Sequence, residues 1–221
     1  MEKKFSQVAR INRKSRMLIF EKLAELELPK NCKMLDAGCG DGSFLFELQE
    51  KGYFNIHGCD MDEKGFVPND IKFKKANFHQ KLPYHDHEFD VVFSLEVIEH
   101  LENPWFFMDE LHRIIRPHGH CVLTTPNPDN ITSKILFLLM GRFNHFGHNL
   151  SYEFNEAVIR KDKHRTPIFH FFFQEMVYKR FIIITYWSNG LQPIFKGKEI
   201  DFKTKSPLIG ADKIYFLKKR E

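Results

Sequence analysis

The chain has few cysteines and no Cys-x-x-Cys pair. Cys32, Cys39, Cys59 and Cys121 are too scattered to suggest a disulfide framework. With 221 residues, a core forms without such staples, so a reduced, cytoplasmic protein is expected. Long apolar runs are also missing. The two longest, Ile135 to Met140 and Phe181 to Trp187, fall far short of the roughly 20 residues a membrane span needs, and residues 1–17 lack the apolar stretch of a signal peptide. Charge of one sign is scarce: 33 Lys and Arg against 29 Asp and Glu leave +4, which argues against a dedicated nucleic-acid binder. Repeats and low-complexity tracts are absent, and 43% hydrophobic with 28% charged residues excludes disorder and coiled coil. What stands out is 24 Phe and 12 His, the latter a pool of ligands and bases whose positions decide their meaning.

The apolar spacing from Phe5 to Leu26 predicts an amphipathic helix stopped by Pro29, giving an N-terminal helical segment over 1–28. Its basic residues, Lys3, Lys4, Arg10, Arg13, Lys14 and Arg16, read as a solvated face. Strands and helices then alternate. Strands are expected at Met34 to Ala37, Asn55 to Cys59, Ile71 to Ala76, Phe89 to Ser94 and His120 to Thr125, with helices at Ser43 to Glu50 and Asn103 to Ile115. Such alternation implies a doubly wound α/β domain with right-handed crossovers. The pattern lapses over 127–170, apart from a helix at Ile131 to Met140, and this stretch is expected to cap the sheet as an insertion. A helix near Phe172 to Lys179, a strand Phe181 to Trp187, a polar hairpin-like stretch and a strand Lys213 to Leu217 complete a single domain over 1–221.

The densest motif is MLDAGCGDG, where Gly38, Gly40 and Gly42 allow a tight turn and a close backbone approach to a ligand. Ser43 stands where a dinucleotide fingerprint has its third glycine, and the Asp36 carboxylate would repel a pyrophosphate. Both features weaken an NAD oxidoreductase reading, whereas a cationic ligand suits Asp36. Asp60, ending the second strand twenty residues past Gly40, is placed to accept from two ribose hydroxyls. Asn77 offers an amide to an adenine edge.

Together with ANFHQKLPYHDHEFDVVFSLEVIEHLENP and LHRIIRPHGHCVLTTPN, these segments resemble the class I S-adenosylmethionine-dependent methyltransferases over about Lys33 to Pro126. The resemblance implies a Rossmann-like seven-stranded sheet of order 3-2-1-4-5-7-6 with its last strand antiparallel. It implies donor binding by Asp36, Gly38, Cys39, Gly40, Gly42, Phe44, Asp60, Met61, Ala76, Asn77, Phe78, Ser94 and Leu95. Asn77 replaces the family's more usual Asp, and Pro117-His118-Gly119 its Pro-Gly-Gly turn.

Glu96, Glu99 and His100 follow the fourth strand as ExxEH, a spacing that puts all three on one face if they open a helix. Such a set can hold a divalent metal or supply a general base. In the related polyprenyl-benzoate O-methyltransferases of quinone synthesis and small-RNA 2′-O-methyltransferases a similar ExxEH binds magnesium. Methyl transfer asks chiefly for positioning, and a hydroxyl acceptor must also lose its proton. Glu99, His100, His145, His148 and His164 are the candidates. The stretch TTPNPDNITSKILFLLMGRF followed by HRTPIFHFF is similar to bacterial enzymes that methylate saccharides or their lipid- or nucleotide-linked precursors, with His164 and Pro167-Ile168 before the helix over the acceptor. Lys134, Arg142, Arg160, Lys161, Lys163 and Arg165 suit a phosphate-bearing acceptor, and Phe169, Phe171, Phe172 and Phe173 an apolar lid. The expected activity is O-methylation of a sugar or another small hydroxylated metabolite; RNA 2′-O-methylation and a non-catalytic donor-binding module are the alternatives.

Overall fold

The computed structural model describes residues 13–63, 65–146, 164–191, 200–206 and 208–221. Helices are α1 (Arg13–Glu25), α2 (Ser43–Glu50), α3 (Pro104–Ile114), α4 (Ile131–Met140) and α5 (His170–Tyr178). Strands are β1 (Met34–Ala37), β2 (Ile56–Asp60), β3 (Lys72–Lys75), β4 (Phe89–Leu95), β5 (Ile115–Pro126), β6 (Phe181–Leu191), β7 (Ile200–Thr204) and β8 (Asp212–Lys219). They form one sheet in the order β3-β2-β1-β4-β5-β8-β6-β7. Strands β1 to β5 are mutually parallel, and β8 runs antiparallel to both β5 and β6. This is the expected seven-stranded order, with one further edge strand, β7, paired antiparallel to β6 where the sequence shows its polar hairpin-like stretch.

Local chemistry sets the element ends. Gly42 caps α2 at φ 81°, a left-handed conformation that costs glycine little. Asn103 caps α3 by accepting from the Phe106 amide at 3.1 Å, with Pro104 at the first helical position, where no N–H is needed. Asn130 does the same for α4, accepting from the Ser133 amide at 2.7 Å. Each cap stabilises its helix by about 1 kcal/mol. His118 takes φ 63° where β5 bulges between Ile115 and His120 against β4, a position where glycine would be unstrained.

Alternate strand residues feed two cores. Leu35, Ala37 and Val92 pack with Phe107, Leu111, Phe173 and Val177 of α3 and α5. Met34, Val91 and Phe93 pack with Leu23, Leu45 and Leu48 of α1 and α2 on the other face. Burial of each such side chain contributes roughly 1.5–3 kcal/mol. Two expectations are corrected here. Phe173 is no part of a lid: it is fully buried and stacks on Tyr215 with ring centroids 4.0 Å apart. Nor is Arg16 solvated. It faces the start of α2, where it pairs with Glu47 and donates to Ser43 Oγ at 3.3 Å, because a charge turned toward a helix on the same face finds a carboxylate there. Residues 1–12, with Lys3, Lys4 and Arg10, lie outside the described residues.

Candidate functional site

The C-terminal ends of β1, β2, β4 and β5 open onto a cleft of about 820 Å³ lined by Gly38, Asp60, Met61, Phe78, Glu96, His100, His145, His164 and Asp212, among others. Its first wall is the glycine loop. Gly38, Gly40 and Gly42 all adopt positive φ (95°, 54° and 81°). The amides of Gly38 and Cys39 donate to the Cys59 carbonyl at 2.7 and 3.0 Å, tying the loop to β2. Asp60 closes the tie: its Oδ2 accepts from the Gly40 amide at 2.8 Å and its Oδ1 from the Asp62 amide at 3.1 Å. Each carboxylate oxygen has further acceptor capacity, so the ribose role expected of Asp60 remains chemically open. Asp36, 2% exposed, lines a small recess under the loop with Arg16, Cys39, Ser43, Phe44 and Leu95.

Other expected donor residues are placed less uniformly. Phe44 is also wedged between Phe20 and Phe93 in the core, and Ser94 is fully buried on β4. Ala76 is buried. Asn77 is exposed and forms a turn, its side-chain oxygen accepting from the His79 amide at 3.0 Å. Phe78 and His79 line the cleft instead.

The second wall is built around Glu96. This residue follows β4 at φ 55°, an unusual conformation for a side chain with a Cβ, and its amide donates to Thr124 Oγ1 at 3.0 Å. The chain then turns through a short 3-10 helix, Ile98–His100, so the ExxEH set is not on an α-helix as its spacing suggested. Glu99 is fully buried. Burial pushes its carboxyl up to about 8, with the charge of Asp212 adding to the effect. Glu96 is raised well above the ordinary carboxylate range, first by burial, then by Glu99 and Asp212. Asp212, at the start of β8, had no motif to announce it. Only sheet pairing opposite Pro126 brings it to the cleft.

His164 joins from the cap. The amides of Arg165 and Thr166 donate to the Glu99 carbonyl at 2.8 and 2.9 Å, and Thr166 Oγ1 donates to the Leu101 carbonyl at 2.6 Å. This docking sets the His164 ring 4.7 Å from that of His100. His164 Nδ1 lies 2.8 Å from the His145 carbonyl, which can only accept, so Nδ1 carries the proton and the neutral ring keeps its lone pair on Nε2. His100 Nε2 is 3.7 Å from Glu99 Oε1. Glu99, His100 and His164 offer ligand atoms within 4.8 Å of one another, so among the described residues His164 completes the metal-type set in place of Glu96. His148 lies outside the described residues, as do Arg160, Lys161 and Lys163. Arg165 pairs with Glu102 and points out of the cleft wall.

A methyltransferase domain family matches residues 35–123. The ubiquinone biosynthesis O-methyltransferase of Psychrobacter arcticus is 29% identical over 132 residues, covering 55% of this chain and 50% of that protein. That of Rickettsia bellii is 33% identical over 102 residues, covering 43% and 42%. The chain thus spans about half the length of the curated relatives it matches. Among solved structures, an S-adenosylmethionine-dependent methyltransferase from Thermotoga maritima superposes with TM-score 0.64 at 15% identity, over 90% of this chain and 87% of that one. One from Archaeoglobus fulgidus gives 0.61 at 20% identity, over 93% and 94%. Sheet order, glycine loop and family match agree: residues 35–123 match a methyltransferase domain family, and the chain has the fold of the S-adenosylmethionine-dependent methyltransferases.

Proposed function

We propose that the protein is an S-adenosylmethionine-dependent O-methyltransferase acting on a sugar or another small hydroxylated metabolite. One observation carries this reading: the His164 lone pair, fixed on Nε2 by the His145 carbonyl, shares a cleft with His100 and with the loop-bound Asp60. The donor's ribose rests on Asp60 and its methionine part on the Asp36 to Gly42 loop, where the Asp36 carboxylate suits its ammonium group. The acceptor hydroxyl attacks the sulfonium methyl in line. The carbon–sulfur bond breaks with its electron pair going to sulfur, and the hydroxyl proton passes to an imidazole Nε2. The Asp212 charge makes a phosphate close to the reacting hydroxyl unfavourable, so a phosphate- or nucleotide-linked acceptor would carry that group toward Lys134 and Arg142 of the 127–170 cap. Four free, buried cysteines support the expectation of a cytoplasmic setting.

A second reading adds magnesium. Glu99, His100 and His164 have the spacing for a small divalent cation, and a carboxyl raised by burial exchanges its proton for a metal. Magnesium would rest on the Glu99 oxygens, while the two imidazoles suit a transition metal better. Bound there, a cation would polarise the acceptor oxygen. The test is methyl transfer from labelled donor to a panel of sugars and phenols, with and without EDTA. Labelling of an amine at the expense of every hydroxyl acceptor would refute O-methylation. Activity indifferent to EDTA, with no metal in elemental analysis, would remove the magnesium reading.

A further inference from the structure

Helix α4 is amphipathic in the wrong sense for a water-facing surface. It buries Thr132 and Ser133 against the protein, while Leu138 is 84% and Leu139 71% exposed, flanked by half-exposed Phe137 and Met140. Water penalises this arrangement, and an apolar surface of this kind marks an interaction site. The patch does not end with the helix. Phe137 stacks on Phe143 at 4.5 Å, Phe143 meets Phe169 at 5.0 Å, and Phe169 meets Phe172 at 6.1 Å, with Phe171 beside it at 65% exposure. An aromatic chain therefore links α4 to the start of α5.

We propose that this face docks on an anionic lipid bilayer, with α4 lying in the plane of the interface. Ten residues give a helix of about 15 Å, enough to lie in the boundary layer but not to cross it. Charge favours a negatively charged surface over another protein's apolar groove: residues 131–146 carry Lys134 and Arg142 and no acid, and residues 164–174 carry no acid either, Arg165 being paired with Glu102. The patch is also continuous with the cleft. Phe143 belongs to it, while His145, two residues on, lines the cleft, and the Asn144 amide between them is held by Ser133 Oγ at 3.1 Å. An amphiphilic acceptor standing in the bilayer would thus present its polar head at the cleft mouth, a consequence that rests on the methyltransferase reading, whereas docking itself does not.

Vesicle co-sedimentation tests docking without using activity. The full chain is expected to sediment with vesicles of equal parts phosphatidylcholine and phosphatidylglycerol, and less well when salt is raised or phosphatidylglycerol is omitted. Replacing both leucines (Leu138→Ser, Leu139→Ser) should weaken that binding by about tenfold or more. Its thermal melting and donor affinity should stay unchanged, since both positions are exposed. The proposal is overturned if the wild-type chain ignores the vesicles. Equal binding by the variant overturns it too, as does a wild-type dimer that the double substitution dissolves without any vesicle binding.

Discussion

The carboxylate of Asp60 accepts a 2.8 Å hydrogen bond from the amide of Gly40, so the proposed ribose-binding group and the glycine loop form one unit. Asp60→Ala should therefore do two things. It should weaken S-adenosylmethionine binding and also loosen the loop, with a charge-assisted bond of about 1.5–3 kcal/mol at stake. Calorimetry and thermal melting on the same samples measure both, and unchanged donor affinity would refute the ribose assignment.

Gly42 has a narrower task. At φ 81° an added Cβ would lie 2.7 Å from Pro68 Cδ and 2.8 Å from Phe66 Cε2. Gly42→Ala should cost about 1–3 kcal/mol of folding stability. Chemical denaturation reads this loss, and donor affinity should fall with it because the loop must shift to relieve the contact.

His100 and His164 are expected to separate chemistry from binding. His100→Ala should lower kcat by about a hundredfold while leaving the donor dissociation constant within a fewfold. His164→Ala should behave alike if the Nε2 lone pair is the base. Intact turnover in both variants would sink base catalysis by the imidazoles.

Acid sensitivity should come from a histidine far from the cleft. His57 lies edge-on to Phe89 on β2, and burial, helped by Lys33 and Lys72, lowers its pKa from 6.5 to about 4. The unfolded chain then binds the proton more readily than the fold. Stability from this group is full above pH 6.5 and falls as pH drops toward 4, by about 2 kcal/mol after solvent screening. His57→Gln should flatten the fall in Tm over that window; an unchanged slope would assign the loss to other groups.

Much of this was legible in the chain because local rules set it. Helix α2 occupies Ser43–Glu50 as read, since Gly42 begins it and Gly52 follows it in left-handed conformations. The helix Ile131–Met140 was also legible, bracketed by Asn130 and Gly141. What its sequence could not show was the direction its apolar side faces. Periodicity gives a stripe but not the neighbour it meets, and the same ambiguity hid Phe173 in the core and Arg16 against α2.

The sequence by itself determined the alternation of strands and helices, the glycine loop and the Asp36 and Asp60 positions, because periodicity, turn chemistry and strand ends are local, while the sheet order followed from the resemblance to the class I methyltransferases. Only the tertiary structure decided the chemistry of the second wall. Asp212 reaches Glu96 and Glu99 through antiparallel pairing of β8 with β5, and His164 reaches His100 because two backbone amides dock on the Glu99 carbonyl. Contacts between residues so distant in sequence depend on packing, and the burial that raises the Glu99 carboxyl exists only once the chain has closed around it.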